Sequence, residues 1–121
     1  MDRTDARQRL ERLRDEFRAS VEEIRARLRQ SQRESSGEIG VVDQHPADVA
    51  TDTAERELDV SREAMFVARL EQIEDALTRV ESGTYGRCVI CNEVIPDERL
   101  AAIADTPFCV KDAQKEQSRA Q

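Results

Sequence analysis

Gly83-Thr84-Tyr85-Gly86-Arg87-Cys88-Val89-Ile90-Cys91, read together with Cys109-Val110-Lys111-Asp112, decides the fold. The two segments hold all three cysteines of the chain, and 17 residues separate Cys91 from Cys109. A Cys-x-x-Cys knuckle followed about 15–20 residues later by a second such pair is the spacing of a four-ligand structural zinc site. The fourth position here is Asp112, where that pattern has a cysteine.

Two readings of Asp112 stand side by side. Cys109 and Asp112 are three residues apart at a helix start, hence on one face, so Asp112 can complete a Cys3Asp site for Zn2+ with Cys88, Cys91 and Cys109. Alternatively Asp112 is a first-turn acid favoured by the helix dipole, and the metal, if bound, has three protein ligands and water. A redox role for Cys88 and Cys91 finds no support, because no βαβ pattern accompanies the pair.

Upstream of the knuckle, Gly83 sits where a helix should stop. The helix it ends runs from about 47 to 82, with a stripe of Ala54, Leu58, Met65 or Phe66, Leu70, Ile73, Leu77 and Val80. Pro46 suits its first turn. A first long helix covers 4–33, where Leu10, Leu13, Phe17, Val21, Ile24 and Leu28 step by threes and fours along one face. Glu34-Ser-Ser-Gly, Gly40 and His45-Pro46 break the pattern between them. The economical arrangement is a mainly α chain: a long antiparallel helical hairpin (a coiled coil) over 1–82 with a tip loop at about 34–50. A small zinc-finger-like globule with a C-terminal helix, 83–121, follows. Within it, residues 84–106 suit a β-hairpin or zinc knuckle with a turn at Pro96-Asp97, and Thr106-Pro107 opens a final helix over about 107–119.

Composition agrees. Aromatics are 3% and charged residues 37%, too polar for a thick core but suited to solvent-washed helices with a narrow apolar stripe. The net charge of −7 divides into +2 over 1–35, −8 over 36–82 and −1 over 83–121. An acidic middle argues against direct DNA binding, which requires a basic surface. No apolar run reaches the roughly 18–20 residues that span a bilayer, and the N-terminus has no signal-peptide core, so a cytoplasmic protein without membrane contact is expected.

The tip Asp48-x-Ala50 and the run Tyr85-Gly-x-Cys-x-x-Cys-x17-Cys109-x-x-Asp112 resemble the DksA/TraR family. The resemblance covers about Asp43 to Gln117 and is most specific over Gly83–Ile95, Arg99-Leu100-Ala-Ala and Cys109. It implies an antiparallel coiled coil beside a zinc-finger globule. It also implies a non-enzymatic, monomeric regulator that binds RNA polymerase, with the coiled coil entering the secondary channel. The family's tip pattern Asp-x-x-Asp-x-Ala falls on His45, Asp48 and Ala50, so His45 replaces the first acid and brings a group that titrates near physiological pH. Basic positions that serve ppGpp in the family fall on Gln72, Ile103 and Ala113, which implies weak or absent ppGpp synergy.

Other function classes are less well served. A zinc-finger adaptor that docks some other protein shares the architecture and is the main alternative. An enzyme is disfavoured: the chain has one histidine, and it shows no nucleophile–base arrangement and no phosphate loop.

Overall fold

The computed structural model describes residues 2–35 and 46–119, the side chains of 33–35 and 46–49 excepted. Among them are four helices: α1 (Arg3–Ser35), α2 (Pro46–Ser82), α3 (Asp97–Ala102) and α4 (Val110–Arg119). No strand occurs among the described residues. Of the β-hairpin or zinc knuckle expected over 84–106, the pairing present is one antiparallel bridge, Arg87 with Val94. The expected long helices are present with ends extended by one or two residues. Pro46 opens α2 as its fixed φ allows.

The chain divides into two compact units, one of residues 1–15 with 70–121 and one of residues 16–69. In the first, Ala6 and Leu10 of α1 and Ile73, Ala76 and Val80 of α2 are buried at helical spacing. Arg3 and Arg7 both reach Glu81, the first through the backbone carbonyl at 2.9 Å and the second as an ion pair at 2.6 Å. α2 then stops at a Schellman motif. Gly83 takes φ +79°, its N–H donates to Val80 O, and the Thr84 N–H donates to Arg79 O. A side chain at this φ is strained, which is why glycine punctuates the helix.

In the second unit the helices run antiparallel. Contacts pair Phe17 with Phe66, Arg25 with Glu63, Arg27 with Asp59 and Ser31 with Arg56. The two phenyl rings meet edge-on at 5.5 Å, and the Arg69 guanidinium lies 5.4 Å from the Phe17 ring. Val21 and Ile24 are buried.

One part of the expected α2 stripe differs. Phe66 faces inward, whereas Ala54, Leu58 and Met65 are exposed. The face that continues from Phe66 toward the N-terminus of α2 is geometrically intact but carries Glu63, Asp59 and Arg56. Ion pairs occupy it where apolar side chains were expected.

Candidate metal centre

The knuckle is shaped by backbone hydrogen bonds. Cys88 N–H donates to Glu93 O and Asn92 N–H to Cys88 O, each at 2.9 Å. Asn92 takes φ 62°, a left-handed conformation that asparagine tolerates better than most residues. Ile95 N–H donates to Gly86 O at 2.7 Å, closing the loop beneath the knuckle. Gly86 has φ +87°, and a Cβ there would lie 3.7 Å from Leu100 Cδ1. Cys88, Ile95 and Leu100 form a buried cluster against which Tyr85 and Cys109 pack.

The second pair arrives by a different route. Val89 N–H donates to Pro107 O at 2.9 Å, tying the knuckle to the segment before α4. The helix begins at Val110 and not at 107. Thr106 caps a turn, its Oγ1 accepting the Phe108 N–H at 3.4 Å. The Cys109 carbonyl accepts the Ala113 N–H, so Cys109 is the N-cap residue and Asp112 the third residue of α4. That spacing turns both side chains the same way.

All four predicted residues converge. One ligand atom from each of Cys88, Cys91, Cys109 and Asp112 lies within 4.8 Å of the others. Asp112 is buried, and its Oδ2 accepts from Cys88 Sγ at 3.0 Å and Cys109 Sγ at 3.2 Å. Cys91 Sγ and Cys109 Sγ are 3.9 Å apart. Zinc–sulfur bonds of about 2.3 Å at tetrahedral angles set sulfur atoms ~3.8 Å apart, and a zinc–carboxylate bond sets oxygen and sulfur ~3.5 Å apart. The sulfur pair already matches. The carboxylate needs to withdraw by a few tenths of an ångström and the widest donor pair, up to 4.8 Å apart, to draw in; three thiols and one carboxylate are donors that zinc accepts, so the donor set fits it.

The electrostatics follow from this crowding. The thiols of Cys88, Cys91 and Cys109, in that order, donate to Asp112 and hold its carboxyl down at about 2. Burial disfavours the Cys88 thiolate, but N–H groups, that of Cys91 foremost, outweigh it, and its pKa falls below the ordinary value. At Cys91 the Glu93 N–H favours the thiolate. Asp112, desolvation and the adjacent thiols oppose it more strongly and push the thiol up to about 12.

Several contacts that brace the centre were not read from sequence, even where the residue itself was named. Arg9 of α1 donates to the carbonyls of Leu100 and Ala101, at the C-terminal end of α3. Arg99 Nε donates to Phe108 O at 2.9 Å, just before Cys109. Fully buried Asp105 accepts from Gln72 Nε2 at 2.9 Å, and Tyr85 OH donates to Ala104 O at 2.8 Å. Helix α3 itself was also missed, although Pro96 followed by Asp97 and Glu98 is a helix-start signal.

The tip residues are not assembled into a described site. His45 lies outside the described residues. Asp48 falls within the first turn of α2 without a described side chain, and Ala50 is exposed on α2. At the three positions compared with ppGpp contacts, Gln72 is engaged by Asp105, while Ile103 and Ala113 are half-buried. No described helix is long and apolar enough to cross a membrane.

Comparison with known proteins places a family match on this centre. Residues 83–117 match the family model of the prokaryotic dksA/traR C4-type zinc finger. Uncharacterized protein YteA of Bacillus subtilis is 41% identical over 70 residues, 58% of this chain and 29% of that protein. An uncharacterized protein of Aquifex aeolicus is 47% identical over 49 residues, 40% of this chain and 34% of that one. General stress protein 16O of B. subtilis is 36% identical over 75 residues, 61% of this chain and 46% of that protein. The matched region thus spans well under two thirds of these relatives. Among solved structures, transcription factor DksA2 from Pseudomonas aeruginosa superposes with a TM-score of 0.76 at 24% identity, covering 98% of this chain and 84% of that one. At that identity the likeness is one of fold: a helical hairpin with a zinc-finger globule.

Proposed function

We propose that this chain, DksA/TraR-like in its finger and in its fold, regulates transcription by binding RNA polymerase through the secondary channel. The observation that carries the reading is the combination of a finger matched over 83–117 with a fold shared along nearly the whole chain with a transcription factor. In this reading residues 1–82 are the probe and 83–121 the base. The tip, with His45, Asp48 and Ala50, is delivered near the polymerase catalytic centre. A carboxylate placed beside its metal-ion chemistry biases initiation electrostatically.

Cys88, Cys91, Cys109 and Asp112 would hold Zn2+ as a structural clasp. The ion would supply ligand bonds that close the knuckle onto the start of α4, and it takes no part in a reaction. The protein is a cytoplasmic non-enzyme that does not contact DNA directly, consistent with its net charge of −7. Synergy with ppGpp is weak or absent, because Gln72, Ile103 and Ala113 offer it no cation.

Co-purification with RNA polymerase, competed by another secondary-channel factor, tests the partner. Promoter-complex lifetime tests the mechanism: Asp48→Asn should abolish the effect of the parent while binding persists. An Asp48→Asn protein as active as the parent would refute the tip mechanism. A second reading, an adaptor that docks a different protein, is favoured by exposed Val89, Ile90 and Val94 on the knuckle. Recovery of another protein without polymerase would support it.

A further inference from the structure

Over residues 54–65, before Phe66, the polarity of α2 is inverted. The face toward α1 carries Arg56, Asp59 and Glu63, paired with Ser31, Arg27 and Arg25. About 160° around the helix at 3.6 residues per turn, Ala54, Leu58, Ser61, Met65 and Ala68 form an exposed row. Leu58 is 49% exposed and Met65 67%. The row steps 4, 3, 4, 3, which is the seam of a coiled coil. A sequence shaped only to close the hairpin would place Leu58 and Met65 inside and the charges outside. The ion pairs that occupy the inner face contribute little by comparison, since their arginines are about half exposed to water and pairs at a protein surface are worth only about 0–1 kcal/mol each.

We propose that this row is a self-association seam, occupied by α2 of a second copy in an antiparallel, two-fold arrangement. The seam is self-complementary in size. In one register Leu58 meets Ser61 of the second copy and Met65 meets Ala54, so each large side chain faces a small one. A parallel arrangement stacks Leu58 on Leu58 and leaves the small residues opposite one another. The same register is complementary in charge, because Glu55 flanks the seam opposite Arg62 of the second copy, twice by symmetry. Shifting the register by one heptad sets Arg62 against Arg62. The family resemblance implies a monomer; the outward placement of Ala54, Leu58 and Met65 is the observation that points the other way. The proposal is independent of the polymerase reading and is tested without polymerase.

The seam is short, about 21 Å at 1.5 Å per residue, and falls at the small end of specific interfaces, below about 1,200 Å². Association is therefore weak and concentration-dependent. Sedimentation equilibrium of the full chain should show the apparent mass rising by at least about half between roughly 10 and 500 µM, which brackets a weak dissociation constant between micromolar and millimolar. Leu58→Ser with Met65→Ser should hold the protein at the mass of one chain, with its helical content unchanged because both sites are exposed. Glu55→Arg should weaken association, and adding Arg62→Glu should restore it. A mass that stays at one chain up to 500 µM overturns the proposal. So does association that survives the paired serine substitutions, or a Glu55→Arg/Arg62→Glu protein that associates no better than Glu55→Arg.

Discussion

Replacing Asp112 by alanine removes one of four convergent ligand atoms and leaves three sulfurs. Structural zinc sites bind with apparent free energies of about 10–16 kcal/mol near neutral pH. If one carboxylate supplies about a quarter of that, the loss is ~3 kcal/mol, or roughly 100-fold in affinity. The geometry supports assigning Asp112 a full share: its Oδ2 is the atom toward which Cys88 and Cys109 both point, at 3.0 and 3.2 Å, and the residue is buried. Competition against a chromophoric chelator measures the affinity directly, and far-UV circular dichroism checks that α4 persists. Asp112→Asn, which keeps the shape but not the charge, should fall between the parent and Asp112→Ala. Asp112→Cys should bind at least as tightly as the parent. Zinc affinity of Asp112→Ala within about threefold of the parent, well short of the ligand-loss estimate, would refute Asp112 as a ligand and leave it as a first-turn acid.

Two further outcomes test the helical pairing. Phe66→Ala removes the edge-on contact with Phe17 and should destabilise the protein by about 2 kcal/mol, whereas Met65→Ala should stay within about 0.5 kcal/mol. Urea titrations of the two variants should therefore separate cleanly. The hydrogen bonds from Arg27 hold the Asp59 carboxyl below its usual range, against the opposing effect of burial. A depressed carboxylate stabilises the fold above its unfolded pKa, about 3.9, and that contribution is lost as pH falls through the folded value. Thermal melts of Asp59→Asn should show a shallower loss of stability than the parent below about pH 4, with no difference in slope above pH 6.

The helices and the site were legible in sequence for different reasons. The α1 stripe is continuous from Leu10 to Leu28, and every member is buried or half-buried, so periodicity alone located its inner face. The stripe of α2 was legible only from Phe66 onward. Before it, two apolar rows compete, and spacing cannot tell which faces α1 when the winning face is held by Arg25–Glu63 and Arg27–Asp59. Such pairs need both helices in place before they can be recognised. The clustering of Cys88, Cys91, Cys109 and Asp112 was legible because its signal is one of residue type and spacing, which survives without knowledge of packing. Its braces were not read, because Arg9 to the end of α3 and Gln72 to Asp105 span 91 and 33 residues and leave no local pattern.

Those braces determine what zinc removal should do. A finger of this size standing alone would have too small a core to fold without its metal. Here the knuckle cluster of Cys88, Ile95 and Leu100 is not alone. Leu100 lies in α3, whose carbonyls are held by Arg9, and Tyr85 and Gln72 fasten the Ala104–Asp105 turn. Buried Leu10, Ile73 and Val80 continue the core of the same unit. Of the four candidate ligands only Cys88 and Cys109 touch this cluster, and the braces themselves involve none of them. Chelation should therefore loosen the knuckle without unfolding the unit. In hydrogen exchange, the amides of Cys88, Val89 and Asn92, each bonded within or across the knuckle, should lose protection. The amides of α2 from Ile73 to Val80 should keep theirs, and helical content should fall only by a fraction of α4. Collapse of helicity throughout the chain on chelation would show instead that the metal, and not the packing around Leu100, holds the unit together.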